Sequence, residues 1–284
     1  MQGQVFQQRK FFDRIKQSLA QLGVGLVALL KFAPIFFKTG GTMLFTVFIY
    51  AQIWGWRYAL GFVLLIFVHE TGHLIAARMM GLQVGWPVFI PFMGAMIALK
   101  EAPRNAWVEA VVGIGGPILG SIGALAAWSL YFFTGNGIFL ALGYAGFFIN
   151  LFNLIPIVPL DGGRIVTAIS PWFWILGLLL LIPVLLISAN FFLIIILIFL
   201  LMNSLPRIKA LFRKQTDDEK RYFECTPAQR AMISVMYFSL LAGLGLMMYL
   251  TQDMLHHEIR AHGGRAVENV IDTSEDGNDG TDSR

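Results

Sequence analysis

The chain has 284 residues, 57% of them apolar and 13% charged, with a formal net charge of +4 and a mean hydropathy of +0.68. A soluble domain carries about 25% charged residues, and a chain this poor in charge could not cover a water-facing surface. That excludes an ordinary soluble protein, and the single cysteine, Cys225, excludes an internal disulfide and any thiolate metal cluster.

The apolar residues come in runs over 42–56, 58–68, 110–133, 137–152, 172–203 and 231–250. A helix needs about 20 apolar residues to cross the hydrocarbon core, so the composition predicts an all-α polytopic membrane protein. Residues 1–41 carry Arg9, Lys10, Arg14, Lys16, Lys31 and Lys38, with Pro34 inside an apolar stretch. They predict a cytosolic or interfacial amphipathic segment. Gly40-Gly41 then breaks the chain, and 42–57 is the first expected span, ending at Trp54, Trp56 and Arg57, residues suited to an interface.

The second span is expected over 59–80. Pro87, Pro91 and Gly94, among the aromatic and β-branched residues of 84–99, predict a short membrane-associated β-hairpin instead of a helix. The third span covers 107–133, where Gly113, Gly115, Gly116, Gly120 and Gly123 allow close helix approach. The fourth covers 137–160. The run 172–203 reads as one long helix or as a hairpin broken at Ser188-Ala189-Asn190. Charge favours the hairpin: the basic loop 204–230 and the basic N-terminus share the cytosolic side only if 172–203 crosses twice. With 231–250 as the last span, the count is six or seven. The tail, 251–284, holds eight acidic and three basic residues and ends in a Gly/Asp/Ser-rich stretch, which predicts disorder.

Two polar motifs interrupt the apolar runs. The first is His69-Glu70-Thr71-Gly72-His73. Residues i and i+4 share a helix face, so both imidazoles can reach one metal ion with Glu70 beside it. Metal-dependent hydrolysis requires neutral nitrogen ligands, an open coordination position and a carboxylate base. Each ionisable group at that depth costs about 2.5 kcal/mol or more, so three together without a use would be expensive. The alternative is a polar patch that joins helices. The second motif runs from Asn153 through Pro156 and Pro159 to Asp161-Gly162-Gly163-Arg164. Two histidines need a third protein ligand, and Asp161 is the only acidic residue between Glu109 and Asp217. Spans two and four run in the same direction, which brings His69, His73 and Asp161 to a similar depth on the cytosolic side. Read alone, Asp161-Gly162 would be an ordinary turn at a membrane surface.

With these motifs the chain resembles the site-2 protease family of intramembrane zinc metallopeptidases. The resemblance rests on His69-Glu70-x-x-His73, on Asn153-x-x-Pro156-x-x-Pro159-Leu160-Asp161-Gly162-Gly163, on Gly113-x-x-Gly116-Pro117, and on Phe89–Ala95; together they cover about residues 42–170. It implies one zinc ion held by His69, His73 and Asp161, Glu70 as general base, and Asn153 in contact with substrate or the reaction oxyanion. It also implies that the substrates are membrane-spanning protein helices cut within or near the bilayer. The chain would then divide into the surface segment 1–41, a protease core over 42–203, the basic loop 204–230, a last span at 231–250 and the tail. Only 87 residues separate His73 from Asp161, which leaves no room for the PDZ domain that some members insert there.

The expected setting is the cell membrane, with the N-terminus and active site toward the cytosol, and no nucleic-acid partner. The hairpin could offer a strand edge to an unwound substrate or merely pack the site. His256, His257 and His262 read as solvated tail residues, and Tyr222 and Phe223 as interfacial anchors. The rival to an enzyme is a catalytically inactive scaffold that binds membrane proteins.

Overall fold

The computed structural model describes residues 39–92, 94–187 and 191–275. The expected surface segment, apart from 39–41, lies outside the described residues, as does the end of the tail.

Helix α1, Gly41–Trp54, is apolar throughout and ends at Gly55. There φ is +79°, a left-handed value that glycine adopts without steric cost, and the chain turns into α2, Trp56–Met79. Val47, Tyr50 and Ala51 of α1 pack on Ala59, Val63 and Ile66 of α2. At 1.5 Å per residue α2 is about 36 Å long, enough to cross a bilayer.

Strands β1, Val84–Ile90, and β2, Gly94–Leu99, form the expected hairpin as a two-stranded antiparallel pair. Ile90 opposes Gly94 and Pro87 opposes Ile97, with a register break between Val84 and Pro87. Side chains of α1 clamp the hairpin. The Phe89 amide donates to Thr42 Oγ1 at 3.2 Å, and the Phe92 amide donates to Tyr50 Oη at 2.8 Å.

Helix α3, Ala106–Thr134, starts at Asn105, whose side chain accepts from the Val108 amide. It is the central element, packing on α2, on α4 (Gly137–Asn153) and on α5 (Asp161–Ile169). The glycines do what the spacing predicts, since a Cβ at Gly72 or Gly115 would collide with the facing helix. Among the described residues, three helices are long and apolar enough to cross a membrane: α2, α3 and the 227–258 part of α9, Pro227–Glu275. Two shorter ones, α1 and α4, are also apolar.

Several boundaries differ from expectation. α4 ends at Asn153, not at 160, because prolines 156 and 159 cannot continue it. Asp161 instead opens α5, a separate short helix. The run 172–203 is carried by two helices, α6 (Phe173–Ile187) and α7 (Phe191–Leu211), which pack on each other. A short helix α8, Asp217–Tyr222, follows, held at its start by a reciprocal Thr216–Glu219 capping box. α9 runs past residue 250 to Glu275, since nothing from 251 to 262 breaks a helix.

Tyr222 and Phe223, expected as interfacial anchors, pack against the α3–α5–α9 core. The Tyr222 hydroxyl donates to the buried Glu109 carboxylate at 2.7 Å, and Arg207 approaches the same carboxylate at 3.5 Å. Burial, and then the Glu109 charge, hold the Tyr222 phenol well above its ordinary pKa, so it stays a donor.

Candidate metal centre

His69 and His73 lie one turn apart on the face of α2 turned toward α3 and α5, and both are buried. Asp161 reaches them from the first turn of α5. His69 Nε2 lies 3.1 Å from His73 Nε2 and 3.1 Å from Asp161 Oδ2, while His73 Nε2 lies 3.2 Å from that same oxygen. Among the described residues this is the one group of three His, Cys, Asp or Glu side chains that could hold a metal ion.

The protonation pattern follows from the outer contacts. His69 Nδ1 meets Asn150 Oδ1 at 2.8 Å, and Asn150 Nδ2 donates to the Gly146 carbonyl at 2.7 Å. The Gly146 contact fixes which way the amide points, so an acceptor faces His69 and Nδ1 must carry the hydrogen. His73 Nδ1 likewise donates to the Val112 carbonyl at 2.8 Å. Both Nε2 lone pairs are therefore free and converge on a carboxylate oxygen. Three electron-rich atoms facing one point is a cation's environment. Tetrahedral zinc with ligand bonds of about 2.0–2.1 Å sets its ligands about 3.3 Å apart, and the observed separations fit. Partners that orient the remote nitrogen are the usual second layer of such a site.

α3 makes room for this arrangement. A Cβ at Gly116 would run into the His73 ring, and one at Gly120 into the Asn150 amide. Asp161 depends on irregular backbone, and irregular backbone is tolerated inside an apolar protein only if its polar groups find partners. The Leu154 carbonyl accepts from Tyr237 Oη at 2.6 Å, and the Val158 carbonyl from Ser204 Oγ at 2.6 Å. The Gly163 carbonyl accepts from Trp174 Nε1 at 2.8 Å. At the far end of α5, Arg230 donates to the Ala168 and Ile169 carbonyls at 3.2 and 2.7 Å.

Glu70 is buried beside the cluster and makes no hydrogen bond or ion pair among the described residues. It faces a cavity of about 520 Å³ that also reaches Asn153, Arg164, Phe92 and the β2 residues Gly94–Ile97. The structure thus brings together all five residues singled out in the sequence: His69, Glu70, His73, Asn153 and Asp161. Sequence reasoning missed Asn150. Its signal was available, an amide in the middle of an apolar span, where an unsatisfied polar group is costly. It also gave no role to the Val112 carbonyl, which no side-chain pattern can announce. His256 and His257 are exposed, and His257 lies 3.8 Å from the Asp253 carboxylate.

Residues 57–145 match the family described as Peptidase family M50. A zinc metalloprotease of Methanocaldococcus jannaschii is 31% identical over 121 residues, a stretch that covers 41% of this chain and 34% of that protein. A protein of Synechocystis sp., whose name likewise includes the words zinc metalloprotease, is 28% identical over 109 residues, 37% of this chain and 28% of its own length. The chain thus matches about a third of the length of these relatives. The matched region contains His69, Glu70 and His73 and the glycine helix that packs against them, and over that region the chain is similar to peptidase family M50, the site-2 protease family.

Proposed function

We propose that the protein is a zinc-dependent intramembrane endopeptidase. The observation that carries this reading is the convergence of His69 Nε2, His73 Nε2 and Asp161 Oδ2 within 3.2 Å, beside the buried Glu70 carboxylate, which makes no hydrogen bond or ion pair among the described residues. His69, His73 and Asp161 would hold one zinc ion per chain, and Asn150 and Val112 keep the imidazoles in the tautomer that can do so. Zinc, when bound, supplies a Lewis acid that polarises the scissile carbonyl and acidifies water at the site.

Every other task falls to the chain. Glu70 takes the proton of the attacking water and passes it to the departing amide nitrogen. Asn153, on the cavity wall, donates to the oxyanion as negative charge develops. Peptide substrates must enter extended, because a helical peptide bond is shielded by its own hydrogen bonding. β2 lines the cavity and offers a strand edge to such a segment. The substrates would be membrane-spanning protein helices. Lipid would surround six or seven spans in a cell membrane. The basic loop 204–230 would place the site toward the cytosol.

The test is cleavage of a membrane-helix substrate by purified protein and by Glu70→Gln. The variant should keep its zinc and lose activity by about 10²-fold or more. Cleavage at the wild-type rate would remove Glu70 from the mechanism, and a zinc-loaded wild-type protein that cuts nothing would favour a binding scaffold.

A further inference from the structure

Arg164 has no place in the chemistry above. It stands three residues after Asp161 on α5, on the same helix face, and lines the cavity that holds His69, Glu70, His73 and Asp161. Its stem passes close over α3: a Cβ at Gly113 would lie 3.2 Å from the Arg164 Cβ. The side chain is half-buried and makes no hydrogen bond or ion pair among the described residues. Its charge is felt at Glu70 on one side and at Tyr222 on the other. The other nearby guanidinium, Arg207, is engaged by Glu109 and lies over the Trp174 ring at 5.7 Å. A planar group with five donors, set on the cavity wall with none of them engaged among the described residues, is a receptor for an anion, and for a carboxylate above all.

We propose that Arg164 is the product-binding residue that receives the new carboxylate of the amino-terminal fragment, an inference that rests on the metallopeptidase reading. Hydrolysis breaks one C–N bond with one water and leaves a carboxylate on one fragment and an amine on the other. The amine can leave as an ammonium ion into water. The carboxylate forms beside Glu70 and Asp161, two negative groups that repel it. Arg164 is the one lysine or arginine among the described residues that lines this cavity, placed to draw it away and reopen the site. An acylated peptide with a free carboxylate should therefore bind much better than its carboxamide, and the preference should depend on Arg164.

The probe is acetyl-Leu-Leu-Ala-Gly, as the free acid and as the carboxamide, titrated into full-length zinc-loaded protein in detergent. Zinc content and thermal stability are measured on the same samples. The wild type should prefer the acid by about tenfold or more, as expected when a charged pair is formed or lost in a desolvated site. Arg164→Gln should lose at least about tenfold of that preference, with zinc content unchanged, and Arg164→Lys should retain part of it. An acid preference undiminished in Arg164→Gln overturns the proposal. So does equal binding of acid and amide to the wild type, and so does loss of zinc from Arg164→Gln, which would make Arg164 structural. A wild-type protein that holds no zinc overturns the parent reading instead, and the acid-to-amide ratio still reports on Arg164.

Discussion

The two halves of the candidate metal site are built in different ways. α2 presents His69, Glu70 and His73 from one regular helix, where spacing alone puts the imidazoles together. Asp161 hangs from the irregular Leu154–Leu160 segment, whose carbonyls are held by Tyr237 and Ser204, residues 83 and 46 positions away in sequence. The first half is a local property of the chain. The second depends on helices α7 and α9 docking correctly, so damage to the outer helices should reach Asp161 before it reaches the histidines.

The sharpest break of this comparison is Asp161→Ala. It leaves two protein ligands where catalytic zinc sites use three. Metal analysis after gel filtration should fall from about one zinc per chain to almost none. A variant that kept its full zinc would take Asp161 out of the centre.

Asn150→Leu should act more mildly. It frees the His69 ring to turn and lets the wrong nitrogen carry the proton. Zinc affinity, read by competition with a chelating dye, should drop about 10- to 100-fold, and activity should return when zinc is raised. Unchanged affinity would mean that the Asn150 contact does not orient the ring.

Tyr237→Phe leaves the buried Leu154 carbonyl without its partner and should cost about 1–3 kcal/mol in a denaturation assay. Thr71→Val offers the contrast. The Thr71 hydroxyl only bonds back to the Phe67 carbonyl of its own helix, at 2.7 Å, and its loss should cost less than about 1 kcal/mol. If the two variants behaved alike, the distinction between a locally and a globally built half would fail.

The smallest effect lies far from the cluster, in α8. The Thr216 backbone amide, then the Thr216 hydroxyl and the Arg213 guanidinium, hold the Glu219 carboxyl below its ordinary pKa. A depressed carboxyl contributes its stability above the unfolded-state pKa and loses it as pH falls through the folded-state value. Amide exchange of α8 should therefore speed up on acidification through the carboxylate range. Thr216→Ala should show a faster and flatter profile, and an identical profile would deny the cap its role.

Much of the fold was legible because its signals are local. Pro87, Pro91 and Gly94 announce a hairpin by what they forbid, and the hairpin is there. The glycines of α3 announce close packing, and Gly115 does meet Gly72. The illegible parts turn on partners distant in sequence. The apolar run continues past the end of α4, and prolines 156 and 159 announce that the helix breaks, but nothing local shows that Tyr237 and Ser204 recapture the freed carbonyls. Tyr222 and Phe223 carry the composition of interfacial residues. Glu109, buried on a helix more than a hundred positions earlier, gives the Tyr222 hydroxyl its inward partner.

The sequence by itself determined the chemistry available: two imidazoles one turn apart, a carboxylate between them, and a lone aspartate after a pair of prolines. These follow from residue type and from the 3.6-residue period. Tertiary structure decided that the aspartate's oxygen meets both imidazoles, that Asn150 and Val112 settle which nitrogens face it, and that Arg164 lines the same cavity. The reason is physical. A helix carries its own hydrogen bonds and so states its geometry in sequence, whereas the backbone that holds Asp161 owes its shape to side chains that only folding brings near.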